Sequence, residues 1–197
     1  MTAFRIPTTA PVRTAAPFVI RAERASDVAA RETLLDACFG DDRHERTCQR
    51  LRDGRAPAAG LALSAVRGGV LVGTLRLWHV SAGGRRALML GPLAVATEAR
   101  SLGVGAALMN AALMIAASRG HGAVVLLGDA PYYARFGFSA DKTRELGLPG
   151  PFERARLLGL ELVEGALDGA AGLIVATGTP ERKARRGRKE RMVSCAA

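Results

Sequence analysis

The sequence predicts a mixed α/β (α+β) domain. It has three layers, a mixed central sheet of about seven strands with helices on both faces. Three observations predict it. Leu61–Val66, Val70–Val80 and Arg86–Val95 are apolar or alternating runs separated by glycine-bearing turns, which reads as an antiparallel meander. From Ala87 to Leu127 an apolar strand, a glycine turn, an alanine-rich helix and a second apolar strand follow one another, which in one compact domain implies a right-handed crossover and a parallel pair. Two further apolar runs, Arg156–Val163 and Ala170–Ala176, close the sheet.

Met1 to Pro17 holds few bulky apolar residues and reads as a disordered tail. Phe18–Arg21 is a first strand. Ser26 and Asp27 cap a helix that runs to Phe39, with Leu34, Leu35 and Cys38 on one face and Gly40 as its stop. Asp41 to Arg52 reads as a second, charged helix with Cys48 and Leu51 inward and His44 on the surface. Arg67-Gly-Gly69 and Ser81-Ala-Gly-Gly84 are the turns of the meander. Near the end of its middle strand, Trp78 belongs to the core and His79 on the opposite face to solvent. Ser139–Glu153 is loose and rich in Gly and Pro, and Ala166–Gly169 is a turn.

The helix starting at Val104 and closed by Gly120 follows Arg100-Ser-Leu-Gly-Val-Gly105. Its first amides have no intrahelical acceptor and, with the helix dipole, form an anion site suited to a pyrophosphate. Three glycine motifs compete for this turn. A P-loop needs Lys and Ser or Thr after the last glycine, where Ala106 and Ala107 stand. The dinucleotide fingerprint needs a third glycine where Leu108 stands, and needs the turn directly after the strand; only Asp129, at the end of the next strand, favours it.

The third match is closer. Arg100-x-x-Gly103-x-Gly105, entered from a Leu93-x-Val95 strand, resembles the acetyl-CoA loop of the GCN5-related N-acetyltransferases (GNAT superfamily). Thr97 stands where that family often has Pro, and Ser101 where it often has Gly. Tyr133-Ala-Arg-Phe-Gly137-Phe138 resembles the family's Tyr-x-x-x-Gly-Phe segment, and Gly128–Phe138 with Leu148–Phe152 is similar to a bacterial subgroup. The resemblance extends from about Phe18 to about Thr177.

The resemblance implies a GNAT-like fold over residues 18–177 and transfer of acetyl from acetyl-CoA to a primary amine. It implies that the main chain of Leu93 and Val95 pairs with the pantetheine arm. Arg100, Ser101, Leu102, Gly103, Val104, Gly105 and Ala106 then hold the pyrophosphate. Tyr133 is the implied general acid for the departing thiolate; a phenol is protonated at neutral pH and can supply that proton. Tyr132 is a packing residue. Asp129, at the C-terminal end of a parallel strand, is one candidate base and a water chain to another carboxylate is the other, while His121, at the opposite end, is remote from the chemistry. In the family the Asp41–Arg52 region borders the acceptor site, which brings Asp42, Glu45 and Arg46 into consideration. No metal is implied.

Composition sets the remaining bounds. The chain has 197 residues, is 49% hydrophobic and carries a formal charge of +10. Pro180–Met192 contributes seven Lys or Arg against two Glu, so residues 178–197 read as a basic, disordered tail. Contact of that tail with nucleic acid or ribosome would be electrostatic, since it has no aromatics for stacking. Three cysteines without metal or disulfide spacing, no signal-like leader and no apolar run of about 18 residues point to the cytoplasm and away from a membrane. A non-catalytic acyl-CoA-binding domain is the alternative to an enzyme. The acceptor is an unidentified amine, and the chain is a monomer or homodimer.

Overall fold

The computed structural model describes residues 18–181; the sequence runs named as disordered tails, 1–17 and the basic stretch from 182, lie outside the described residues. An eight-stranded mixed sheet organises the rest. Its strands are β1 (Val19–Ala22), β2 (Ala62–Arg67), β3 (Val70–Ala82), β4 (Arg85–Val95), β5 (Ala123–Leu127), β6 (Leu146–Gly147), β7 (Leu157–Glu161) and β8 (Gly172–Ala176). They run in the order β1-β2-β3-β4-β5-β7, with β8 pairing β3 and β6. The expected meander is β2-β3-β4, antiparallel throughout. Its turns use Gly68 and Gly69, then Gly83 and Gly84, all at positive φ, as tight hairpins of twisted strands require.

The crossover expected from the sequence is β4-α2-β5, with α2 at Val104–Ser118 and Gly120 at φ 75° after it. Helix α1 spans Val28–Phe39 and stops at Gly40, φ 79°. The two helices cover opposite faces. Gly73 of β3 faces α2, since a Cβ there would come within 2.8 Å of Val104 Cγ1. Its neighbour Thr74 pairs Ser64 of β2, whose hydroxyl reaches Asp27 at the start of α1 on the other side.

The Asp27 carboxylate does not cap α1 directly. It accepts Arg21 at 2.6 and 2.8 Å, the Arg24 N–H at 2.8 Å and Ser64, closing a short 3₁₀ turn at Ala25–Asp27 instead. Arg31 of α1 and Arg76 of β3 both bind Glu23, a nearly buried ion cluster between helix and sheet.

Two expectations change. Asp41–Arg52 is not one helix but two 3₁₀ turns, Asp41–His44 and Thr47–Leu51. The second turn is tied across the molecule, Thr47 donating to Pro151 O at 2.6 Å and Arg50 to Pro149 O at 2.7 Å, so tertiary contacts override a weak local helix preference. The loose Ser139–Glu153 region contains the two-residue strand β6, parallel to β8. Past Thr177 the chain still packs: Ala56 N–H donates to Thr179 O and Glu181 N–H to Gly54 O. No helix among the described residues is long and apolar enough to cross a membrane.

Candidate active site

The site forms where β4 and β5 part. Their parallel ladder holds at Leu88↔Val124 and Met89↔Val125, yet β4 continues to Val95 and β5 to Leu127. Beyond Met89 the strands diverge at their C-terminal ends, the usual place for a ligand in such a sheet. A bulge in β4 assists the divergence. The register passes from Leu77↔Leu90 to Leu75↔Leu93, so Gly91 and Pro92 together face Arg76. Pro92 has no N–H to give, and the Trp78 indole fixes the kink by donating to Gly91 O at 2.8 Å.

After the bulge, Ala96 N–H donates to Val72 O on β3. With a period of two, the polar groups of Ala94 also face β3, and those of Leu93 and Val95 face the gap toward β5. The Val95 carbonyl takes the Cys38 thiol at 3.6 Å. Leu93 and Val95, singled out from the sequence, thus present an open strand edge.

The glycine turn lies just beyond. Thr97–Ala99 forms a 3₁₀ turn, Ser101 has φ 68° and Gly103 φ 78°. Arg100 donates to Thr97 O and Leu102 to Ala99 O, so these two amides serve the turn itself. Ser101, Gly103, Val104, Gly105 and Ala106 have N–H groups with no acceptor among the described residues; the ladder of α2 begins with Ala107 N–H to Gly103 O at 2.9 Å. Gly105 is approached closely, since a Cβ there would lie 2.9 Å from the Tyr132 hydroxyl.

Between the diverging strands opens a cavity of about 910 Å³. Leu90 to Leu93 form one wall and Leu127 to Asp129 with both tyrosines another. Arg43, Glu45, Arg46, Thr47, Cys48, Gln49 and Arg52 from the 3₁₀ region close it, with Pro151, Phe152, Glu153 and Arg156 at the side. Of the charges named from the sequence, Glu45 and Arg46 line it and Asp42 does not.

Tyr133 and Tyr132 belong to α3 (Ala130–Ala134), capped by Asp129, whose carboxylate accepts the Tyr132 N–H at 3.3 Å. Tyr133 is seated edge-on against Phe138 and against the Gly128 backbone. Burial pushes its phenol up to about 12, with Tyr132 and Asp129 adding to the shift and Arg156 opposing it. At neutral pH it is a proton donor. Tyr132, expected as packing, stands in the cavity wall with its hydroxyl at the start of α2 and Arg135 over its ring at 4.5 Å. Burial also pushes the Cys48 thiol up, against the pull of Arg52 and Arg156.

His121 lies elsewhere. Its ring lies 5.4 Å from that of His79, tilted by 50°, beside a separate cavity, and burial, His79 and Arg119 lower its pKa. Trp78 is buried as expected, whereas His79 lines that second cavity. Among the described residues no group of three His, Cys, Asp or Glu side chains is placed to hold a metal. The sequence reading missed Arg52, which looks like one more charge on a solvated helix face. It also missed the bulge, for which Gly91-Pro92 inside an apolar run is a signal.

Comparison with known proteins agrees with this fold. The model of the acetyltransferase (GNAT) family matches residues 28–138. An uncharacterised N-acetyltransferase, YhbS of Escherichia coli K12, is 29% identical over 158 residues, covering 79% of this chain and 94% of the relative. The crystal structure of Escherichia coli YhbS in complex with CoA superposes with a TM-score of 0.71 at 28% identity, over 86% of this chain and 93% of that one. A GNAT family acetyltransferase from Brucella melitensis in complex with acetyl-CoA gives 0.63 at 25% identity, over 82% and 97%.

Proposed function

The chain belongs to the acetyltransferase (GNAT) family, and from that premise we propose that it transfers acetyl from acetyl-CoA to a primary amine by direct attack within a ternary complex. The observation that carries this reading is the row of unpartnered N–H groups at Ser101 and Gly103–Ala106 beside the open edge of β4. Those amides and the dipole of α2 suit the pyrophosphate of CoA. The outward groups of Leu93 and Val95 suit the two amides of pantetheine, which would add to β4 like a further strand. Two solved structures with this fold are complexes with CoA and with acetyl-CoA, which supports CoA as the ligand of this chain.

The acyl thioester then enters the gap between β4 and β5. The amine nitrogen attacks its carbonyl carbon, forming the C–N bond, and the resulting oxyanion takes the outward N–H of Leu93. Collapse breaks the C–S bond, and Tyr133 gives its proton to the departing thiolate. The proton lost by the amine passes to Asp129, directly or through water. Holding both reactants in one cavity supplies much of the rate gain by positioning alone.

The reading is tested by following thiol release from acetyl-CoA with a panel of amino acids, polyamines, aminoglycosides and peptide N-termini, the products being weighed by mass spectrometry. An acceptor heavier by one acetyl group supports it. Acetyl-CoA bound but consumed with none of the amines would point to a non-catalytic binding domain.

A further inference from the structure

Arg52 differs from the other cavity arginines. Arg43 is committed to Glu32 and Asp36, both at 2.6 Å, and Arg46 to the Phe39 carbonyl at 2.8 Å. Arg52 follows the 3₁₀ turn Thr47–Leu51, is half-buried in the cavity wall, and has no ion pair among the described residues. Its Nε is buried without an acceptor, one of two such side-chain atoms among the described residues. Burial lowers its pKa, opposed by the nearby Cys48 and Asp53. A buried cationic donor left unpaired costs more free energy than a neutral one, so the site is built for an anion that arrives with a ligand.

Position narrows the ligand. The Arg52 Nη1 lies 4.0 Å from where a Cβ on Gly91 would be, at the β4 bulge. That point adjoins the wall of Pro92 and Leu93 along which the thioester is proposed to lie. The pyrophosphate turn, Arg100–Ala106, contributes nothing to this cavity, so the phosphates of CoA are not the partner of Arg52. The carboxylates that do line the cavity, Glu45, Asp129 and Glu153, are all exposed and none pairs with Arg52. Arg43 and Arg46 are already committed and Arg156, at the side of the cavity, is exposed, so Arg52 is the one half-buried unpaired fork among them, and a single fork matches a planar monoanion better than a phosphate dianion.

Resting on the acetyltransferase reading above, we propose that Arg52 binds a carboxylate on the acceptor. The substrate is then an amine bearing a carboxylate a few bonds from its nitrogen, of the amino acid class.

The test uses matched pairs on the full chain: amino acids and their primary amides as acceptors, with acetyl-CoA saturating and thiol release as the readout. For the unmodified protein, the acid of the best pair is expected to have a KM on the order of 30-fold below that of its amide. In Arg52→Gln the KM for the acid rises and the acid-to-amide ratio collapses toward one. Arg52→Lys restores part of the ratio, keeping the charge without the fork. Equal KM values within pairs on the unmodified chain, or a preference for amides or for the matching aminophosphonates, overturn the carboxylate assignment and leave acetyl transfer standing. Because this arm needs no variant, a misfolded Arg52→Gln does not remove the test. No thiol release with any amino acid or amide, from a chain that acetylates another amine of the wider panel, overturns the assignment of Arg52 and leaves acetyl transfer standing; no release with any amine of that panel overturns acetyl transfer itself.

Discussion

The ring of Tyr133 rests on the bare backbone of Gly128: a Cβ added there would stand 2.2 Å from Cε2 and 2.8 Å from Cδ2 of the tyrosine. Gly128 is itself buried at the end of β5, so the strand fixes the depth at which the phenol enters the cavity. Gly128→Ala therefore forces the ring to move. Turnover is expected to fall by about 100-fold, the scale of an ångström-sized misplacement, with calorimetric affinity for acetyl-CoA within about twofold of the parent.

Tyr133→Phe removes the hydroxyl and leaves the ring. With Tyr133 as the acid, kcat falls by about 100-fold or more while CoA still binds. The pH dependence carries a sign. Burial raises the phenol to about 12, so it stays protonated through neutral and mildly alkaline solution, and no alkaline loss of activity below about pH 10 should trace to it. Its neutral form favours folding below the unfolded value near 10, and that contribution is lost as pH rises toward 12. Of the chain's two tyrosines, one should titrate near 12 by ultraviolet absorbance, and Tyr133→Phe should abolish that step.

Ser101 holds φ 68° without being glycine, and Gly103 holds φ 78° with open space around its α-carbon. The two positions should respond with opposite signs. Ser101→Gly relieves a left-handed serine and is expected to stabilise by about 0.5–1 kcal/mol, less than the full strain because glycine is freer when unfolded. Gly103→Ala should destabilise by about 1 kcal/mol. Thermal melts read both, at roughly 2–4 °C per kcal/mol for a chain of this size.

How much of this was legible beforehand follows from where the signals lie. Local backbone requirements are written locally: the paired glycines at 68–69 and 83–84, and the stops at Gly40 and Gly120, mark element ends. The antiparallel meander, the β4-α2-β5 crossover and the amide row at its turn followed from such signals. What escaped depends on distant partners. The Asp41–Arg52 stretch reads as a helix until Pro149 and Pro151 draw Thr47 and Arg50 toward them. Strand β6 exists because β8, some 25 residues later, lies alongside it. Asp27 resembles a plain cap until Arg21 and Ser64 converge on it, and Arg52 becomes unusual only when a cavity wall closes over its Nε.

The Asp27 cluster predicts acid sensitivity. Donation from Arg21, then from the Arg24 amide and the Ser64 hydroxyl, holds its carboxyl well below the usual carboxylate range despite burial. A depressed folded pKa contributes stability above the unfolded value near 3.9, and that contribution is lost as pH falls below it. Asp27→Asn should cost about 2 kcal/mol at neutral pH and flatten the decline of melting temperature below about pH 4. An unchanged acid profile in the variant would remove Asp27 from the account.

Binding of the coenzyme is the central claim, and a calorimetric titration of acetyl-CoA tests it most directly. It is run at two temperatures, against the parent chain and against Gly105→Val, whose side chain would crowd the start of α2. One equivalent binding with Kd on the order of 10 μM, weakened at least about tenfold in the variant, is the predicted result. No heat at either temperature in the parent chain would contradict it.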